Sequence, residues 1–172
     1  HLDEIVLTKT GLPINGEPHL EPWLNFLHRM KNATKTVRIG LVGKYVELPD
    51  AYKSINESLF QAATYNDRKL DLQYIHSEKL NSGNVDAMLS SLDGVLIAPG
   101  FGQRGIEGKF IALKYAREHD IPTFGVCLGM QCMVIEYARD VLGYTDANST
   151  EMDVTTKHNV IDLMEEQKSI TN

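Results

Sequence analysis

A chain of 172 residues is long enough for one domain with a buried core and too short to suggest two. Charged residues make up 23% and apolar residues 42%, which excludes bulk disorder, and no apolar run approaches the roughly 20 residues of a membrane-spanning helix. The formal net charge of −6 argues against a nucleic-acid-binding surface. Because only two cysteines occur and no signal-peptide pattern opens the sequence, we expect a reduced, cytoplasmic protein.

The first segment, residues 1–36, is rich in Gly, Pro and Asn and is predicted to be a linker. Within it we expect one short helix from about Pro22 to Met30. Its apolar side chains fall on one face at helical spacing: Trp23, Phe26, Leu27 and Met30.

The second segment, residues 37–172, shows strands alternating with helices and is predicted to be one domain. The predicted order is strand 37–43, helix 51–65 with Asp50 as N-cap, strand 70–75, helix 85–92, strand 94–100, helix 108–120, strand 121–126 and helix 128–143, with a further strand or helix in 159–167. This order predicts an α/β fold, a doubly wound, mostly parallel open sheet with helices on both faces. Such sheets bind ligands at the carboxyl ends of their strands.

Cys127 lies at the predicted end of a strand, within Gly-Val-Cys-Leu-Gly. This is the nucleophile-elbow pattern, in which glycines two residues either side of a nucleophile permit a tight strand-to-helix turn. A helix amino terminus also favours the thiolate, which is the attacking species. For Cys132, inside the helix without glycine neighbours, a buried structural role is expected.

A glycine-rich loop, Pro-Gly-Phe-Gly-Gln-Arg-Gly at 99–105, follows the preceding strand. A dinucleotide site is rejected, because that fingerprint belongs after the first strand with an acidic residue about 20 positions on. The loop can instead offer backbone N–H groups to an oxyanion beside the thiol, although a purely structural loop stays an alternative. His76-Ser77-Glu78 is a second candidate for orienting a base, and the other histidines are expected to be solvated.

Five stretches of the sequence, including the loop and the elbow, together resemble one known family. IAPGFGQRGIEG, FGVCLGMQ and ANSTEM, together with VGKYVELPDAYKSINESL and EPHLEPWLNFLHRMK, resemble the class I (triad) glutamine amidotransferase domain of the CTP synthase family, from about residue 10 onward. The resemblance implies a glutaminase that supplies ammonia for the amination of UTP to CTP. It implies no metal or cofactor in this stretch, but ATP and Mg²⁺ in a synthetase domain of the same polypeptide, GTP as activator, and a homotetramer in the cytoplasm.

The resemblance also implies residue roles. Cys127 would be the catalytic nucleophile, and Gly100 and Leu128 would donate backbone N–H groups to the oxyanion. The positions implied for L-glutamine binding are Phe101, Gly129, Gln131 and Glu151. Those implied for GTP response or domain communication are Lys44, Arg104, Gly105 and Glu107, for which a solvated loop and a surface lysine are the alternative. Without the family, Glu151 would be a capping-box acid after Ser149 or Thr150.

Two departures limit what the chain is expected to do. The loop around Gly100 has one glycine fewer than many family members, and the family's His-Pro-Glu does not occur after Cys127, nor does the basic stretch with the carboxylate-binding arginine. We therefore expect a domain incomplete at its C-terminal end and inactive alone. Two other functions stay open: a non-catalytic interaction or regulatory module, and a cysteine hydrolase of related elbow architecture.

Overall fold

The structure, a computed structural model, describes residues 2–16, 19–48 and 50–168. The parts of the predicted linker and domain at residues 1, 17, 18, 49 and 169–172 lie outside the described residues. The elements in chain order are α1 (Leu2–Thr10), α2 (Glu21–Asn32), β1 (Lys35–Gly43), α3 (Lys53–Tyr65), β2 (Arg68–His76), a 3₁₀ turn (Ser77–Lys79), α4 (Val85–Leu89), β3 (Gly94–Ile97), α5 (Ile106–Glu118), β4 (Thr123–Gly125), α6 (Leu128–Asp140), β5 (Asn148–Ser149), β6 (Asn159–Ile161) and α7 (Glu165–Lys168).

A four-stranded parallel sheet in the order β2-β1-β3-β4 forms the centre of the molecule. A separate two-stranded parallel pair, β5-β6, follows α6. The strands of the larger sheet are joined by helical crossovers, as the predicted alternation of elements requires. The predicted α/β fold with a parallel sheet is confirmed.

Side chains of β1 and β3 alternate between two apolar layers, because neighbouring residues of a strand point to opposite faces. On one face, Leu41, Leu96 and Ala98 pack with Tyr52 and with the α3 residues Ile55 and Leu59. On the other face, the apolar residues come from β1, β3 and the helices α4, α5 and α6: Val42, Val95, Ile97, Val85, Leu89, Ile106, Leu113, Leu128 and Cys132. Helices therefore cover both faces, as predicted.

The N-terminal segment contains two helices where one was predicted. The predicted helix is α2, which is three residues longer than expected and packs on α3 through Phe26 and Phe60, whose ring centroids are 6.4 Å apart. Trp23 stacks on Phe26 yet stays 57% exposed. The sequence reasoning missed α1, which buries no residue and so has no apolar stripe to reveal it.

The predicted N-cap at Asp50 is wrong. Helix α3 begins two residues later than expected, and Tyr52 occupies its N-cap position without a side-chain hydrogen bond. The Asp50 carbonyl only accepts a 3.4 Å hydrogen bond from the Lys53 N–H. The Tyr52 side chain is buried between β1 and α3, so packing rather than capping fixes where this helix starts.

Candidate active site at a strained cysteine

Cys127 stands in the sharp turn between β4 and α6. Its backbone has φ 53° and ψ −113°, a conformation that a non-glycine residue adopts only at a cost of about 1–3 kcal/mol. The side chain is exposed, and the Cys127 carbonyl accepts the Gln131 N–H at 3.1 Å. The turn therefore presents the thiol to solvent at the amino terminus of a 13-residue helix.

Both glycines of the elbow are required by close backbone contacts. A β-carbon on Gly125 would lie 2.5 Å from the Met130 nitrogen, and one on Gly129 would lie 2.1 Å from the Ile97 carbonyl oxygen. Real β-carbons essentially never approach backbone atoms within 3.0 Å. The predicted elbow turn is thus confirmed, and it brings the start of α6 against the end of β3.

The glycine-rich loop lies beside the elbow. A β-carbon on Gly100 would be 3.8 Å from Leu128 Cδ2, so the two proposed N–H donors belong to adjoining backbone segments. Among the described residues, the N–H groups of Gly100 and Leu128 donate no hydrogen bond, whereas the Gly129 N–H donates to the Val126 carbonyl at 2.9 Å. The Gly100 and Leu128 backbone segments therefore adjoin each other at the carboxyl ends of β3 and β4.

Lys44 holds the loop from the side of β1. Its ammonium donates a hydrogen bond to the Phe101 carbonyl, and the residue is only 7% exposed, while the Phe101 ring is 79% exposed. The alternative of a surface lysine is therefore wrong. Because the Phe101 carbonyl is turned to Lys44, the loop's backbone direction is fixed by a charge-assisted hydrogen bond.

Arg104 and Gly105 are the last two residues of this loop, directly before α5. The Arg104 guanidinium contacts Glu78 at 2.8 Å and lies over the Tyr45 ring, 5.3 Å from its centroid. Gly105 has φ 75° and is the N-cap of α5, and a β-carbon there would meet Ser77 Oγ at 2.5 Å. The predicted solvated loop is thus anchored at its second half by an ion pair and a close contact.

Gln131 and Glu151 line one open cavity of about 570 Å³, together with Ser149 and Thr150. The Gln131 Oε1 atom is buried and accepts no hydrogen bond among the described residues. Glu151 donates its backbone N–H to Ser149 Oγ at 3.2 Å. This contact spans two residues and does not use the Glu151 carboxylate, so it is not the capping box of the non-family interpretation. Among the described residues, the Glu151 carboxylate has no hydrogen-bond or ion-pair partner. Glu107 lines a different cavity of about 490 Å³, with Gln103 and Arg139.

His76 does not lie where a base for Cys127 is needed. His76 Nδ1 accepts the Glu78 N–H at 3.3 Å, and β2 is separated from β4 by two strands, roughly 14 Å at ordinary spacing. The expectation that His158 is simply solvated is wrong. Its Nδ1 lies 2.5 Å from Asp146 Oδ1, and its ring stacks on Tyr144. This hydrogen bond lowers the pKa of the Asp146 carboxyl.

Cys132 is fully buried in the α5–α6 core, as predicted, and burial raises the pKa of its thiol to about 11. Cys127 and Cys132 are both free thiols. Within residues 2–16, 19–48 and 50–168, no group of three or more His, Cys, Asp or Glu side chains is placed to hold a metal ion.

None of the helices described here is long and apolar enough to cross a membrane.

Sequence reasoning missed a buried lysine next to the site. Lys109 is 1% exposed, and its Nζ donates to the Ala98 carbonyl at 2.7 Å. A signal was available, because Lys109 is three residues after Ile106 and four before Leu113, both core residues of α5, so the helical period places it inward.

The fold and the elbow together define an α/β protein with an exposed cysteine in a tight strand-to-helix turn at the carboxyl end of a parallel sheet. The family model "Glutamine amidotransferase class-I" matches residues 47–171. The chain therefore belongs to the class-I glutamine amidotransferase family.

Curated relatives and a solved structure agree with this assignment. The chain is 68% identical over 171 residues to a CTP synthase of Bacteroides fragilis and 60% identical over 172 residues to one of Porphyromonas gingivalis, covering 99% and 100% of this chain. It spans about a third of the length of these relatives, 32% in each case. The glutaminase domain of Trypanosoma brucei CTPS with bound acivicin superposes with a TM-score of 0.69 at 41% identity, covering 76% of this chain and 51% of that one.

Proposed function

We propose that this chain is the ammonia-supplying part of a CTP synthase, in which Cys127 hydrolyses L-glutamine through a thioester. The observation that carries the proposal is the strained Cys127 turn next to the Gly100 and Leu128 N–H groups, which donate no hydrogen bond among the described residues. The ammonia would aminate UTP to CTP in a synthetase domain of the same polypeptide, where ATP and Mg²⁺ would bind. The whole enzyme would then be a ligase of pyrimidine biosynthesis, and we expect it in the cytoplasm as a homotetramer.

In the first step, the Cys127 thiolate attacks the side-chain amide carbon of glutamine and forms a carbon–sulfur bond. The carbonyl oxygen becomes an oxyanion, which would accept hydrogen bonds from the Gly100 and Leu128 N–H groups. The carbon–nitrogen bond then breaks, and nitrogen leaves as ammonia after taking one proton. Water attacks the resulting thioester, releases glutamate and regenerates the thiol.

Proton transfer in these steps needs a general base and acid, which typically accelerate a reaction by roughly 10²–10⁴-fold. His76 is engaged with Glu78 on the far side of the sheet, and His158 is engaged with Asp146. Neither is proposed as the base. The full reaction would use a histidine that is not among the described residues.

The cavity lined by Gln131 and Glu151 is the proposed glutamine site. The Glu151 carboxylate suits the substrate's α-ammonium, since a charge-assisted hydrogen bond is stronger than a neutral one. The unpartnered Gln131 Oε1 can accept a further hydrogen bond from the same ammonium or from an amide. Gly129 would contribute to glutamine binding by allowing α6 to start close to β3. Phe101 would contribute its exposed ring, which the loop carries.

The response to GTP and to the synthetase domain is assigned to four residues: Lys44, Arg104, Gly105 and Glu107. Lys44 links the end of β1 to the Phe101 carbonyl, and Arg104 links the same loop to Glu78. A nucleotide that competed for the Arg104 guanidinium would therefore alter the loop that carries Gly100. This connection supports a regulatory role for these residues.

The test is labelling by a chloroketone analogue of glutamine. We expect Cys127 to form the carbon–sulfur bond with loss of chloride, to be protected by L-glutamine, and to be located by mass spectrometry. The matched control is Cys127→Ser, which keeps the turn and should not be labelled. Labelling that glutamine does not protect would favour a cysteine hydrolase of another specificity, and no labelling of a folded chain would favour a non-catalytic module.

A further inference from the structure

Lys109 is a buried cation directly beneath the glycine-rich loop. It lies in the first turn of α5, is 1% exposed, and its Nζ donates to the Ala98 carbonyl at 2.7 Å. Ala98 itself is 0% exposed and stands at the end of β3, two residues before Gly100. The ammonium therefore holds the point at which the sheet passes into the loop.

This ammonium has no carboxylate partner among the described residues. The charged or ionisable groups that act on it are Lys44 and the thiols of Cys132 and Cys127. Burial is the main cause that lowers the pKa of Lys109, and Lys44 acts in the same direction, whereas both thiols oppose the shift. The Lys109 ammonium therefore lies within electrostatic reach of both cysteine residues.

Such an arrangement is costly for stability. An ammonium taken out of water without an anionic partner loses hydration that one carbonyl contact does not fully replace. An unbranched apolar side chain of similar length would fill the same space without that cost. The fold alone does not explain a lysine here, and a charge needed by the neighbouring site does.

We propose that Lys109 is a positioning residue of the thioester site: its hydrogen bond fixes the β3 end of the oxyanion loop, and its charge favours anions at Cys127 and in the loop. The inference rests on the proposed function, since it assigns a role within the same site. Lys44 holds the Phe101 carbonyl at the other end of the loop. The Ala98 and Phe101 carbonyls, one on each side of Gly100 in the sequence, are thus each bound to an ammonium group, which fixes the backbone that carries the Gly100 N–H.

The test uses the 172-residue chain and two alkylating agents, the chloroketone analogue of glutamine and iodoacetamide. In each reaction the Cys127 thiolate bonds to carbon and the halide leaves. The maximal alkylation rate, followed by mass spectrometry, therefore reports the nucleophile and the loop, while the analogue's half-saturating concentration reports binding. Lys109→Met removes the charge and the donor at nearly constant volume. Lys114→Met is the matched control, because Lys114 lies on the same helix but is exposed and pairs with Asp140 at 2.9 Å.

We expect Lys109→Met to lower the maximal rate with the analogue by about 10-fold or more, with half-saturation within about twofold of wild type. Lys114→Met should leave both values unchanged. Lys109→Met should also melt at the same temperature as wild type or higher, which a purely structural lysine would not allow. An unchanged maximal rate in folded Lys109→Met would overturn the proposal.

Lys109→Arg keeps the inference testable if the methionine variant does not fold. It retains the charge and the hydrogen-bond donor, so a folded Lys109→Arg should react with iodoacetamide at least about a third as fast as wild type. A loss of about 10-fold or more, the size expected for Lys109→Met with the analogue, would overturn the proposal. Iodoacetamide also separates the two hypotheses. If wild-type Cys127 reacts with it but not with the analogue, the proposed function fails, while the ratio between Lys109→Met and wild type still decides the role of Lys109.

Discussion

Gly129→Ala is expected to destabilise the protein and disturb the elbow more than an alanine substitution at a glycine with open space around it. The new β-carbon would lie 2.1 Å from the Ile97 carbonyl oxygen and 2.8 Å from its carbon, both backbone atoms of β3. Ordinary contact begins near 3.4 Å, so α6 must move away from β3 by roughly 1 Å. Overpacking of this kind costs about 3 kcal/mol, which lowers the melting temperature of a domain this size by about 6–12 °C.

The same movement separates Cys127 from Gly100, so the loss should appear in function as well as in stability. We expect Cys127 of Gly129→Ala to react more slowly with the chloroketone analogue at a temperature where the variant is still folded. The assay pairs thermal melting followed by circular dichroism with the alkylation rate.

Gly143→Ala is the matched control, because Gly143 has φ 78° but nothing within 4 Å of an added β-carbon. It should lose only the left-handed backbone cost of about 1 kcal/mol, or about 2–4 °C, with an unchanged alkylation rate. If Gly129→Ala melted within 2 °C of the control and reacted as wild type, the contact between α6 and β3 would not position the thiol.

Three further outcomes are expected. Iodoacetamide should modify Cys127 well before Cys132 at pH 7, because a thiol pKa of about 11 leaves about one Cys132 in ten thousand as thiolate; equal rates by mass spectrometry would contradict this. In a full-length enzyme carrying this sequence, Glu151→Gln should weaken glutamine use by about 10- to 150-fold and spare the use of free ammonia, and an equal loss of both would give Glu151 a structural role. Ammonia release from glutamine by the 172-residue chain should not exceed that of its Cys127→Ala variant; a clear excess would mean that a base such as His76 reaches the thiol.

The alternating strands and helices of residues 37–143 and the elbow could be predicted because their causes are local, whereas α1 was missed because it buries no residue. Strand 37–43 and helix 128–143 follow from residue spacing, and the turn at Cys127 follows from two glycines at fixed offsets. The start of α3 could not be predicted from Asp50, because burial of Tyr52 between sheet and helix decided it. That burial depends on tertiary packing, which a capping pattern does not contain.

The polar part of the site was predicted less well. For Lys44, the alternative of a surface position is wrong, because the residue is buried and its ammonium is hydrogen-bonded to the Phe101 carbonyl of the loop, far away in sequence. Its role in domain communication stays a prediction. Lys109 was overlooked because a lysine in a helix is usually solvated. The sheet order, which places β1 next to β3, brings the Lys44 ammonium to the loop, whereas Lys109 reaches the Ala98 carbonyl from the first turn of α5, the helix that follows the loop. The catalytic and binding roles of the other site residues stay predictions.

The parallel order of the sheet has a consequence for folding kinetics. Lys44, Gly100 and Cys127 follow three different strands, β1, β3 and β4, and each strand joins its neighbour only after a long crossover has closed. Contacts between residues so far apart in sequence form late, because loop-closure entropy must be overcome first. An unfolded or half-assembled chain would have a cysteine of ordinary reactivity, and rapid alkylation of Cys127 would appear only in the final cooperative step. The alkylation rate of Cys127 can therefore serve as a kinetic probe of refolding, because it reports when the last strand has docked.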